Sequence, residues 1–157
     1  MENIIWGKEA ATLEEIKAAA QVAQANEFIN SLPEGYHTVL GQGGVNVSGG
    51  QKQRISIARA LIKQPEILIL DDCTSAVDVT TEGKIRDALK KYASELTCIV
   101  IAQRITSVIG ADRTIVVENG EMVGMGSHQQ LMENCEVYKE IFRSQIGKEV
   151  AAYGKEE

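Results

Sequence analysis

Two short uninterrupted apolar runs, Ile67-Leu68-Ile69-Leu70 and Cys98-Ile99-Val100-Ile101-Ala102, constrain the fold more than any other feature of the chain. Each has the length of a strand, and between them Ile85, Ala88, Leu89 and Tyr92 recur at helical spacing. Strand, helix and strand in that order, with strands apolar on both faces, predict a parallel α/β sheet covered on both sides. Neither run approaches the ~20 residues that a membrane helix needs.

Around that unit the punctuation is local. Thr12 stands three residues before Glu15, the spacing of a capping box, and Leu13, Ile16, Ala20 and Ala23 then follow a helical period. Leu32-Pro33-Glu34-Gly35 breaks the pattern, and a glycine-rich stretch follows through Gly41, Gly43, Gly44, Gly49 and Gly50. A second helix opens at Ser48, carries Ile55, Ala58, Leu61 and Ile62, and must end before Pro65. Thr114–Val117 and Met122–Met125 flank Asn119-Gly120, a hairpin signal, because both turn residues must adopt positive φ. Ser127 caps a short helix, and Tyr138, Ile141 and Phe142 mark a last one. The first 62 residues hold no strand of the buried kind. The expected organisation is therefore a helical subdomain at 1–62, a sheet core at 63–147 and a loose tail at 148–157.

The net charge of −6, with no basic run, argues against a nucleic-acid partner, since phosphate backbones are held by clustered Lys and Arg. Cys73, Cys98 and Cys135 lack metal-site spacing and read as reduced structural thiols. His37 and His128 are isolated and read as surface residues, and Trp6, after an apolar pair, reads as packing.

The chemistry is carried by three elements in series. Val47-Ser48-Gly49-Gly50-Gln51 places two glycines and a capping serine at a helix start, where free amides and the helix dipole suit a phosphate. On its own this would be an ordinary glycine-rich loop before a helix. About 20 residues later the apolar strand ends in Asp71-Asp72, the way a nucleotide-binding sheet delivers a magnesium ligand through water. Ser75-Ala76-Val77-Asp78 follows at once.

In that order and spacing the sequence resembles the nucleotide-binding domain of ABC transporters, the exporter branch in particular, from Glu2 to about Gly147. Val47–Gln51 resembles the signature motif, Ile67–Asp72 the Walker B strand and Ser75–Asp78 the D-loop, while Gln103 falls at the H-loop position. Thr38-Val39-Leu40-Gly41-Gln42-Gly43-Gly44 is similar to the X-loop that touches the coupling helices of the membrane domains. Phe28-Ile29, Leu32–Tyr36 and Ala111-Asp112-Arg113 also match exporter usage. The resemblance implies a partial P-loop NTPase fold working with ATP and Mg2+, with Asp71 on the metal through water. It implies a location at the cytoplasmic face of a membrane, beside transmembrane domains and a second nucleotide-binding domain.

No GxxxxGK[ST] occurs, so the Walker A loop, the adenine-stacking aromatic and the Q-loop are expected to precede Met1. Without them the chain alone is expected neither to bind ATP tightly nor to hydrolyse it. Two positions depart from the family's active pattern. Asp72 stands where a glutamate orients the attacking water, and its carboxylate is one methylene shorter; misplacement on that scale costs roughly 100-fold in rate. Gln103 stands where a histidine contacts the γ-phosphate, and an amide cannot carry a proton through the cycle. The signature, Ser48, Gly49, Gly50 and Gln51 with Val47, is intact. The resemblance thus implies an asymmetric pair: a degenerate site of its own, and a signature completing the hydrolysing site of a different chain. The competing readings are a chromosome-maintenance or DNA-repair head, against which the absence of coiled-coil and basic segments speaks, and a soluble ABC ATPase without a membrane partner.

Overall fold

The computed structural model describes residues 2–41, 44, 46–92 and 96–153. Two compact units are present, Met1–Ile101 and Ala102–Glu157. The boundary expected at 62/63 falls inside the first.

The first unit begins with α1 (Glu2–Ile5), α2 (Leu13–Val22), α3 (Asn26–Ser31) and one 3-10 turn at Gly35–His37. α2 starts as its capping box requires: the Thr12 hydroxyl accepts from the Glu15 amide at 3.2 Å, and the Glu15 carboxylate accepts from the Thr12 amide at 2.8 Å. This pair satisfies donors that every helix start leaves without an intrahelical partner. Ile16, Ala19 and Ala20 of α2 are buried, and the two alanines let α4 (Gly49–Leu61) lie close. α4 buries Ile55, Ile57, Ala58 and Leu61 in return. A Cβ on Gly7 would stand 2.3 Å from the Arg59 carbonyl oxygen, so only glycine lets the exit from α1 cross the end of α4. α4 stops before Pro65 as expected, and the chain leaves it through Gln64 in the left-handed region (φ 51).

β1 (Ile67–Asp71), α5 (Val79–Tyr92) and β2 (Thr97–Ile101) complete this unit. The strands pair in parallel, with Ile67 opposite Thr97 and Asp71 opposite Ile101, so the class is the mixed α/β one expected. The expected cover on both faces is corrected. Leu68 and Leu70 are buried with Ile55 of α4 and Ile85 and Leu89 of α5, but Ile67 and Ile69 are 59% and 61% exposed and β2 is exposed along its length. Among the described residues, helices cover one face of the strand pair only. An apolar run reports that a strand is suited to burial, not that a partner layer is at hand. Trp6 is corrected likewise: it is 74% exposed, with the Arg59 guanidinium 5.4 Å from its ring centroid.

The second unit contains α6 (Ile105–Val108), β3 (Thr114–Glu118), β4 (Glu121–Gly126), α7 (His128–Asn134) and α8 (Glu136–Tyr153). β3 and β4 form the expected antiparallel hairpin, with Asn119 and Gly120 at φ 52 and 82. A register shift between Val116 and Val117 adds a bulge. Ser127 caps α7, its hydroxyl accepting from the Gln130 amide at 3.3 Å. Ile105, Val116, Leu131, Cys135 and Tyr138 form this unit's core, and His128 Nδ1 lies 2.8 Å from the Tyr138 hydroxyl. α8 continues through Tyr153, into the segment expected to be loose; 154–157 lie outside the described residues. Among the described residues no helix is long and apolar enough to cross a membrane.

Candidate functional site: a helix start, a strand end and the loop between them

Ser48 is the N-cap of α4. Its hydroxyl accepts from the Gln51 amide at 3.2 Å, and Gln51 Oε1 accepts from the Ser48 amide at 2.9 Å. Two residues of the 47–51 stretch thus fix the helix start reciprocally. Val47 is buried, whereas Ser48 and Gly49 are exposed. The start presents the positive end of a helix dipole, with no side chain at the exposed Gly49 to keep an anion away. These residues fit a phosphate group.

Gly50 has a second constraint that the sequence did not show. A Cβ there would lie 2.6 Å from the Ala76 carbonyl oxygen. The glycine is required by the close approach of the chain's own 75–78 loop.

Asp71 ends β1, exposed, and Asp72 follows at φ 45. Few non-glycine residues enter that region, aspartate more readily than most. The Asp72 amide is anchored to the Ile101 carbonyl at 2.9 Å, and its own carbonyl accepts from the Ser75 hydroxyl at 3.0 Å. Among the described residues no three His, Cys, Asp or Glu side chains converge as a metal cage. Asp71 is a single exposed carboxylate at the strand end, an oxygen donor of the kind that suits a magnesium held largely by water and phosphate.

The D-loop residues have separate local tasks. Val77 is buried, and Asp78 caps α5, accepting from the Thr81 amide at 2.8 Å. That bond, with a smaller contribution from Arg54, holds the Asp78 carboxyl below the usual carboxylate range. A lowered folded value means that this stabilisation is present above the unfolded value and lost as pH falls through the folded one. The α5 start is therefore expected to fray below about pH 4, read as faster hydrogen exchange at 79–82, and Asp78→Ala should show that fraying at neutral pH. The Thr74 hydroxyl donates to the buried Glu82 at 3.1 Å and braces the same loop. Burial pushes the Cys73 thiol up to about 11, leaving it protonated and a poor nucleophile.

Gln103 lies in the second unit with an exposed side chain, two residues after β2 in sequence. Its carbonyl accepts from Gln145 Nε2 at 2.8 Å, while Gln145 Oε1 accepts from the Ile105 amide at 2.8 Å. Gln145, on α8, is a supporting residue that no motif signalled. In the X-loop stretch, Thr38 Oγ1 accepts from the Glu34 amide at 3.2 Å, and the Asn46 side chain ties the Gly41 amide (3.2 Å) to the Val39 carbonyl (3.3 Å). Gly44 adopts φ 65; Gln42 lies outside the described residues.

The family described as "ABC transporter" matches residues 2–75. An "Uncharacterized ABC transporter ATP-binding protein" of Bacillus subtilis (strain 168) is 53% identical over 148 residues, covering 94% of this chain and 26% of that protein. A "Putative multidrug export ATP-binding/permease protein" of the same organism is 50% identical over 144 residues, 92% of this chain and 25% of the relative. The "Mitochondrial potassium channel ATP-binding subunit" of Homo sapiens is 48% identical over 145 residues, 92% and 20% respectively. A solved bacterial Atm1-family ABC exporter with ATP bound superposes with a TM-score of 0.88 at 39% identity, over 92% of this chain and 25% of that one. The chain spans about a quarter or less of the length of these proteins.

Proposed function

The chain belongs to the ABC transporter ATP-binding family, and from that premise we propose that it serves in the nucleotide-binding domain of an exporter whose two ATP sites are unequal. Its own site is the weak one, altered at Asp72 and Gln103, and its signature completes the hydrolysing site of a different partner chain. The observation that carries this reading is the contrast between the two halves. The Ser48–Gln51 start is capped, with Ser48 and Gly49 exposed, while the strand end offers a shortened carboxylate and the H-loop position offers an amide in place of an imidazole.

Each residue has a task in this reading. The α4 start receives a phosphate through its amides and the Ser48 hydroxyl. Asp71 would hold the magnesium through a water. Asp72 holds the attacking water imperfectly, because its carboxylate stops one methylene short. Gln103 donates a hydrogen bond without moving a proton. ATP, when bound, supplies the phosphoanhydride whose cleavage drives the transport cycle. The Thr38–Gly44 stretch faces the coupling helices of the transmembrane domains at the cytoplasmic side of the membrane, and no nucleic acid is involved.

The reading is tested by restoring the missing chemistry. In the assembled transporter, Asp72→Glu with Gln103→His should raise ATP turnover per assembly about twofold, as a second competent site is added to the first. An unchanged rate, with nucleotide occupancy unaffected, would show that these two positions are not what limits this chain's site.

A further inference from the structure

Gln53 lies one turn beyond the signature glycines, on the face of α4 that Gly49 and Gly50 also occupy. Its carboxamide is engaged at both ends by a loop 19 to 23 residues downstream. Oε1 accepts from the Ala76 amide at 2.9 Å. Nε2 donates to the Ser75 hydroxyl oxygen at 3.0 Å and, more weakly, to the Asp72 carbonyl at 3.4 Å. The amide orientation follows from the partners: a backbone N–H demands an oxygen opposite it, and a carbonyl demands an N–H. A primary amide at this reach meets both demands. Glutamate keeps the acceptor but sets a carboxylate against the Asp72 carbonyl, asparagine is one methylene short, and alanine removes both links.

The backbone packing reinforces the link. Ala76 presses so closely on α4 that a Cβ on Gly50 would stand 2.6 Å from the Ala76 carbonyl oxygen and one on Gly49 would stand 3.4 Å from the Ala76 side chain. The glycines allow the approach, and Gln53 ties it. The loop so held begins at Asp72, whose positive φ is maintained by the bonds its carbonyl accepts from Ser75 and Gln53.

We propose that Gln53 is a positioning residue that clamps the 72–76 segment to the signature helix, so that Asp72 of the chain's own site and the signature offered to the partner's site move as one body. This rests on the functional reading above. It adds a physical route between the two ATP sites: a displacement of the α4 start at one site is passed to the Walker B end at the other through a single side chain and one backbone contact. Gln53 has no part in the chemistry and acts only through the residues it holds.

The test uses the full-length polypeptide bearing this chain, assembled with its partner, as wild type, Gln53→Ala, Gln53→Glu and Ser75→Ala. Hydrogen exchange is followed in a peptide covering 72–78, with one covering α2 at 13–22 as the internal reference, and ATPase rates are measured against ATP concentration. Gln53→Ala should speed exchange at 72–78 about tenfold and leave 13–22 unchanged. It should lower kcat about tenfold with KM for ATP within about twofold, the signature of lost positioning rather than lost binding. Gln53→Glu, which retains the acceptor for Ala76, should fall between wild type and alanine in exchange. If Gln53→Ala does not accumulate, Ser75→Ala, a small change at an exposed site, removes the hydroxyl that bridges Gln53 and Asp72 and carries the same expectation in weaker form. Unchanged exchange at 72–78 overturns the clamp, and faster exchange with unchanged kcat overturns its positioning role. The exchange arm needs no hydrolysis, so an assembly without ATPase activity would count against the functional reading while leaving the clamp to be decided by exchange.

Discussion

Ser48→Arg should remove most of the ATP hydrolysis of the assembled transporter, by about 100-fold, whereas Asp72→Asn should change it by less than about twofold. The first figure is the usual consequence of losing a preorganised anion-stabilising element. Ser48 is exposed at the first turn of α4, and an arginine there fills the space through which a phosphate reaches the helix amides. The same change also breaks the cap, because the Ser48 hydroxyl no longer accepts from the Gln51 amide. Ser48→Gly separates these effects: glycine is a tolerated N-cap costing a few tenths of a kcal/mol, and it adds no bulk. Activity in Ser48→Gly well above that of Ser48→Arg assigns the loss to obstruction. On the proposed reading, Asp72→Asn removes the charge of a carboxylate one methylene short of the attacking water, at the site that contributes little turnover. Equal losses from Ser48→Arg and Asp72→Asn would refute the asymmetry between the two sites.

Leu61→Ala should cost about 3 kcal/mol of stability and lower the midpoint of thermal unfolding by about 10 °C. Leu61 closes the last turn of α4 and is 0% exposed. It shares a core cluster with Ile16 of α2, Ile57 and Ala58 of α4, and Ile4 of α1. Truncation removes three heavy atoms from a site bounded by helix backbones. Those backbones cannot close the void without shifting the Gly7 crossing, already at contact with Arg59. Lys63→Ala, two residues on and exposed, should stay within about 0.5 kcal/mol. A cost for Leu61→Ala as small as that of Lys63→Ala would mean that α4 is not anchored at this end. Because α4 carries the signature at its other end, the same variant should weaken partner-dependent hydrolysis before it abolishes folding.

The legible parts of the fold share a physical property. The capping boxes at Thr12, Ser48 and Ser127 close between residues three apart, and the turn at Asn119-Gly120 is set by the φ values of two residues. Interactions of that range survive in any context, so composition and spacing suffice to find them. The signature, the strand ending in two aspartates and the loop after it were found in the same way, because their order along the chain is itself the signal. The cover of β1 is not legible for the opposite reason. Leu68 and Ile69 are equally apolar, yet one is 3% exposed and the other 61%, and nothing in either side chain says which face has a neighbour.

The sequence by itself determined where α2, α4 and α7 start and that β1 and β2 pair in parallel, and it singled out the residues at 47–51, 71–72, 75–78 and 103 as candidates for nucleotide chemistry. Tertiary structure alone decided how those residues are held. Gln53 reaches a loop 19 to 23 residues ahead, Gln145 holds the Gln103 backbone across 42 residues, Gly50 is glycine partly for the sake of Ala76, and Asp72 is bent into positive φ. Gln53 and Gln145 were singled out by no periodicity or motif, since a glutamine's polarity on a helix surface is equally suited to solvent. Their partners are fixed only when packing sets the distance between a helix face and a loop, and that distance is a property of the assembled core.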